Sequence, residues 1–311
     1  IGALWEGGAH GPQTQETAQT NQCHDITAYP AIGLAAGACS GNGILLDISN
    51  PEEPVRIAEV LDPNFAYWHS ATFNNGGTRV IFTDEWGGGT AARCRASDDP
   101  QWGANAIFDR TDRNLTLRSY YKLPVPQTEQ ENCVAHNGSM IPVPGRDIMV
   151  QAWYQGGISV FDWSDPDNPF EIAFFDRGPQ NPNELVASGF WSAYWYNGLI
   201  WGSEIGRGLD VFRLTANEHL TQNEIDAAKE IRLDLFNPQL QTRIEWPASY
   251  TVARAYVDQL WRAKGAAAER AAAVAAALDR AERVSGAERR GVLAELRALA
   301  TQVEDEADNV R

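Results

Sequence analysis

The stretch Gly156-Gly157-Ile158-Ser159-Val160-Phe161-Asp162-Trp163-Ser164-Asp165-Pro166-Asp167-Asn168-Pro169 decides the fold. An apolar strand follows a glycine turn, closes on an aspartate and runs into a proline-bounded turn, which is how a short strand is punctuated. Working outward, the pattern returns at Gly43 to Pro54 (Gly43-Ile44-Leu45-Leu46-Asp47-Ile48-Ser49-Asn50-Pro51), at Ala106-Ile107-Phe108-Asp109 and, degenerate, at Gly208 to Arg213. The copies recur at a period of roughly 40 to 50 residues plus insertions, the spacing of four-stranded propeller blades.

A second marker keeps phase with the first. His24, His69, His136 and finally Trp191 each open a unit. In the best copy the four expected strands run from His136 to Val143, Asp147 to Trp153, Gly157 to Asp162 and Phe170 to Phe175, with turns at Pro144-Gly145, Gln155-Gly156 and Ser164 to Pro169. Asn74 to Gly77 and Tyr196-Asn197-Gly198 read as matching first turns in other units. The composition agrees: 27 Gly, 16 Pro and 11 Trp suit many short strands joined by tight turns. The expected class is all-β, a propeller incomplete in this chain over residues 1–217, with an α-helical tail over 218–311.

The Gly156 to Pro169 segment, with its partner at Gly43 to Pro54, resembles the LVIVD repeat of bacterial secreted propellers, over roughly residues 20 to 215. That resemblance implies a propeller and an exported location, without a defined activity. Phe82-Thr83-Asp84-Glu85-Trp86-Gly87 is similar, over one strand, to a stretch of selenium-binding proteins and methanethiol oxidases, which are copper-associated propellers. Four units are few for a ring, and residues 1–20 read as the end of a preceding blade. Further blades and a signal peptide are therefore expected upstream.

Against 25 basic side chains stand 41 acidic ones, a net charge of −16, which opposes binding to nucleic acid or an anionic membrane and would welcome a cation. No apolar run is long enough to span a bilayer. Cys23, Cys39, Cys94 and Cys133 lack C-x-x-C spacing, so the pairs Cys23–Cys39 and Cys94–Cys133 are expected as disulfides, placing the chain in an extracytoplasmic compartment.

The tail changes period. Thr221 to Glu224 is a capping box opening a helix that ends before Asn237-Pro238. Val252, Tyr256 and Leu260 mark a second helix that Gly265 can terminate. Val274, Leu278 and Ala281 mark a third, and Ser285-Gly286-Ala287-Glu288 opens a fourth carrying Val292, Leu296, Leu299 and Val303. Such stripes pack against one another or dock a partner, the cell envelope among them.

In an antiparallel blade the start of the first strand lies beside the end of the second. His24, Asp25, His69 and His136 should thus share one channel mouth with Asp84, Glu85, Trp86, Trp153 and Glu204, and with Trp191 at the fourth unit's start. His24, His69, His136, Glu85 and Glu204 are the candidate ligands of a divalent transition metal, since imidazole with carboxylate suits zinc, copper or iron. Asp25, Asp84, Trp86, Trp153 and Trp191 are the candidate contacts to a bound small molecule or protein. The alternative for each histidine is a hydrogen bond to the neighbouring blade, repeated because the unit was duplicated. Two functions stand at this level: an exported binding or scaffold propeller with an acidic, histidine-bearing mouth, or a metal-dependent propeller enzyme, an oxidoreductase by the likeness to copper-associated propellers. No nucleophile elbow, phosphate loop or zincin helix occurs.

Overall fold

A computed structural model describes residues 4–263 and 266–308. Residues Gly8–Ala9 (β1) and Glu16–Thr17 (β2) pair as a small separate ribbon and extend none of the larger sheets. Four antiparallel sheets follow in strict chain order. The first contains Asp25–Tyr29 (β3), Leu34–Ala38 (β4), Gly43–Asp47 (β5) and Val55–Val60 (β6). The second contains Trp68–Phe73 (β7), Arg79–Asp84 (β8), Asn105–Thr111 (β9) and Asn114–Tyr121 (β10). The third contains Gly138–Ile141 (β11), Ile148–Ala152 (β12), Ile158–Asp162 (β13) and Phe170–Phe175 (β14). The fourth has three strands, Phe190–Tyr196 (β15), Leu199–Glu204 (β16) and Gly208–Phe212 (β17). These are propeller blades, each expected strand of the third falling where the repeat places it. The fourth unit departs from the expected four strands because the chain leaves β17 for a helix cap instead of a further turn.

The core lies between blades, so strands are apolar on both faces. In β8, Val80 and Phe82 pack with Tyr29, Leu45, Trp68 and Phe108, whereas Ile81 joins Met149, Trp153, Phe161 and Trp163 of the third blade. Period-2 alternation thereby serves two cores at once. The first-strand turn at Asn197 and Gly198, with φ of 50° and 95°, has both central residues in the left-handed region that a two-residue hairpin turn demands. Blade junctions repeat too: Ser40 exchanges two backbone hydrogen bonds with Trp68, and Phe190 donates to the Tyr154 carbonyl. The disulfides Cys23–Cys39 and Cys94–Cys133 are both formed. The first ties the residue before His24 to the end of β4, and the second is buried in the core between the second and third blades.

The chain divides into two compact units. The β unit comprises the blades and also the later segment Arg232–Ile244. That segment returns beside β3 through a single bridge: Leu240 bridges Ala28 in parallel, Ala28 donates to the Gln239 carbonyl, and Gln241 donates to the Ala28 carbonyl. The Gln241 amide also pairs with both backbone groups of Phe73, at 3.0 and 2.6 Å. Pro238 and Gln239 thus come to line a cavity formed by the first strands.

The helical unit contains Gln222–Glu230 (α1), Tyr250–Ala263 (α2), Ala266–Arg283 (α3) and Gly286–Asp308 (α4). Thr221 and Glu224 form the expected capping box. Leu260, Val274, Leu278 and Leu296 share one apolar cluster, whereas Val252 packs with Ala227 and Ala255 and Tyr256, expected on the same stripe, is exposed. Gly265, the expected terminator of α2, lies outside the described residues. No described helix is long and apolar enough to cross a membrane.

One buried polar pair links the second and third blades. Asn105 and Gln151 exchange side-chain amide hydrogen bonds at 2.7 and 2.9 Å, and Gln151 also donates to the His136 carbonyl at 2.8 Å. Gln151→Leu strands the Asn105 amide and that carbonyl in a dry site, so it should cost about 2 to 3 kcal/mol, read as a lowered urea midpoint at unchanged m-value.

Candidate functional site

The first strands bring one aromatic ring per blade to the axis. The rings of His24 and His69 stand 4.2 Å apart, those of His69 and His136 also 4.2 Å, and those of His136 and Trp191 4.8 Å. The repeat therefore sets its opening residues side by side in a row, tilted by 37° and 34° and then edge-on at 67°. His24 is exposed, and Trp191 is 49% exposed, while His69 and His136 are buried.

Glu85 threads between the rings. Its carboxylate lies 3.6 Å from His69 Nε2 and 3.3 Å from His136 Nε2, and the buried Tyr154 hydroxyl donates to Oε1. Burial pushes the Glu85 carboxyl upward, but the imidazoles of His136 and His69 and the Tyr154 hydroxyl outweigh it and hold the group below the usual carboxylate range. His69 is driven down to about 3 by burial and then by its neighbour His136, against the pull of Glu85. The site is thus a neutral imidazole beside an ionised carboxylate, the protonation states in which both act as metal ligands.

One ligand atom from each of His24, His69 and Glu85 falls within 4.8 Å of the others. Ligands set about 2.1 Å around a tetrahedral ion stand about 3.4 Å apart, so the His69–Glu85 pair is already at working separation. His24, being exposed, has the side-chain freedom to close the remainder. His136 stands outside this group. Its Nδ1 donates to the Trp191 carbonyl, an oxygen that can only accept, so the ring is anchored to the next blade. The outcome foreseen as the alternative for every histidine holds at His136.

The other expected site residues are placed as follows. Glu204 is not brought to the cluster: Oε1 accepts from the Gly189 N–H at 3.0 Å and the Ser188 hydroxyl at 3.2 Å. Register explains this, because Phe190 pairs with Glu204 as Trp68 pairs with Asp84. Glu204 is therefore the counterpart of Asp84, one residue off the phase of Glu85, and in a strand one residue reverses the face. Asp84 does the equivalent work, accepting from the N–H groups of Ala66, Tyr67 and Gly103, and its carboxyl is raised to about 7 by burial. Trp86 is buried against Trp102 at 4.7 Å beneath the Arg93 guanidinium, and Trp153 is enclosed in the core between blades. Asp25 and Trp191 do reach a cavity of about 150 Å³, which His24, His69, Tyr194 and Gln239 also line.

Tyr154 was not among the expected site residues. It takes a φ of 53°, and its ring fills the space where a side chain on Gly89 would start, 2.2 Å from that glycine's ideal Cβ. Gly89→Ala should therefore displace Tyr154, loosen Glu85 and cost about 1 to 3 kcal/mol, measured by urea unfolding, with altered near-ultraviolet circular dichroism from the Tyr154 environment.

No protein-family model and no curated protein matches the sequence. Among solved structures the fold is similar to the periplasmic gluconolactonase of Pseudomonas aeruginosa, at 12% identity and a TM-score of 0.42, over 62% of this chain and 50% of that one. It is also similar to a provisional 6-phosphogluconolactonase from Bacteroides uniformis, at 12% identity and a TM-score of 0.43, over 68% of this chain and 55% of that one. The chain thus spans half, or slightly more, of the length of these structures.

Proposed function

We propose that this is an exported β-propeller binding protein of LVIVD-repeat type, whose channel mouth holds one divalent transition-metal ion on His24, His69 and Glu85. The convergence of those three ligand atoms carries the reading. Zinc, copper and iron accept this donor set, and three protein ligands leave a coordination position for a small molecule. Tyr154 would serve as the outer partner that orients Glu85, as hydrogen-bonded neighbours of metal ligands do. The Cys23–Cys39 bond supports both parts of the proposal, since it fixes the residue before His24 and persists in an oxidising compartment. Small-molecule or protein recognition at the mouth would use Asp25 and Trp191. The helical unit exposes Tyr256 and Trp261, the side chains with which it would meet an envelope partner.

A metal-dependent oxidoreductase is the second reading. It is favoured by one observation, that Glu85 lies within the Phe82 to Gly87 stretch similar to copper-associated propellers. Redox cycling of a bound copper, against inert zinc binding, separates the two.

The full chain, stripped with chelator and dialysed against zinc or copper, should retain one ion per molecule by elemental analysis. At a free-ion concentration of 100 times Kd, unfolding should require about 2.7 kcal/mol more. His69→Ala and Glu85→Gln should abolish stoichiometric retention, and Tyr154→Phe should weaken it by about 10- to 100-fold. Retention unaffected in the His69→Ala, Glu85→Gln double variant would contradict the assignment.

A further inference from the structure

We infer that the cavity beside this site takes a single uncharged polar molecule about the size of one six-membered ring, with Gln239 of the returning segment as the residue that limits its length. The inference rests on the metal reading above for one end of the ligand and on the cavity's own walls for the rest.

Size comes first. The cavity holds about 150 Å³, and an apolar cavity of about that volume accommodates benzene. Chemistry narrows the class further. The walls mix polar and apolar residues, with Thr72 and Asn137 beside Asp25 and with Trp191, Tyr194 and Pro238, and among the described residues neither lysine nor arginine lines the space. A phosphorylated or sulfated ligand would meet Asp25 with no cationic side chain to receive it, and the two charges of a metal ion would be offset by Glu85 and Asp25. An uncharged molecule that presents an oxygen or nitrogen lone pair to the ion and a donor group to Asp25 satisfies both ends.

The boundary comes from outside the blades. Gln239 donates its amide to Asp25, and its own carbonyl accepts from Ala28 at 2.9 Å. Gln239 is exposed but tethered by side chain and backbone together, and with Pro238 it lines the cavity from outside the blades. It is a specificity-determining residue in this account, touching the ligand's far end without touching the ion.

The test uses the full chain loaded with Co(II), whose visible absorption reports a new ligand on the metal. Two probes differ by one ring: imidazole, which fits the cavity, and 4-phenylimidazole, which does not. Work at about pH 8 keeps both uncharged. Metal stoichiometry is read first for every variant, so a chain that holds no ion reveals failure of the metal reading itself, which overturns the inference with it. With one ion bound, imidazole should saturate the spectral change and 4-phenylimidazole should bind about tenfold more weakly, the penalty expected of overpacking. Gln239→Ala should bring the two affinities together, and Gln239→Trp should weaken imidazole as well. Equal affinities in the unaltered protein, or an affinity ratio indifferent to both substitutions, would overturn the inference while leaving the metal site standing.

Discussion

Glu85 is a carboxylate removed from water, and a buried charge persists only if neighbours replace the solvent it has lost. The Tyr154 hydroxyl does so by a hydrogen bond, and the imidazoles of His69 and His136 stand beside the carboxylate at 3.6 and 3.3 Å. Much of the surrounding structure follows from holding those three groups in place. Tyr154 needs a left-handed backbone and the bare Cα of Gly89. His136 needs the Trp191 carbonyl in front of its ring and the Gln151 amide on its backbone oxygen, and Gln151 in turn needs Asn105. A chain of buried hydrogen bonds therefore runs from the interface of the second and third blades to His136, beside Glu85. Because each member is enclosed, loss of one leaves others without partners, and the site should behave as a unit rather than as separable contacts.

The blades themselves were readable because their physics is local. Gly156 to Pro169 carries its own turn, strand and stop, and the later helices carry their apolar stripes at spacings that only a helix can use. The row of rings was readable as well, since His24, His69, His136 and Trp191 hold the same place in successive units. Glu204 shows where counting residues fails. Both the β7–β8 and β15–β16 pairings contain register irregularities, and the position of a side chain past such an irregularity depends on hydrogen bonding that composition does not reveal. Tyr154 carries no signal in the repeat, because its role arises from an uncommon φ. Gln239 lies beyond the last blade, and nothing local to Asn237-Pro238 indicates that the chain returns to pair with Ala28.

Duplication has placed equivalent residues under different constraints. Among the three histidines, His136 is secured by the adjacent blade, whereas His69 keeps a buried Nδ1 without a partner and His24 remains open to solvent. Asp84 and Glu204 follow the same logic, two acids at matched register that each hold a loop, Asp84 through three N–H groups and Glu204 through one N–H and the Ser188 hydroxyl. Only Glu85, set one residue further along, faces the rings. The proposed centre is thus a local exception to a repeated structural scheme, which is how a propeller can acquire a site without altering its framework.

Anomalous scattering from crystals of the metal-loaded full chain, recorded on both sides of the metal's absorption edge, tests the central claim most directly. The account predicts one strong peak about 2.0 to 2.2 Å from a nitrogen of His24, a nitrogen of His69 and an oxygen of Glu85, with the Tyr154 hydroxyl still on that carboxylate. A peak at surface carboxylates alone, or none between these three side chains, would contradict it.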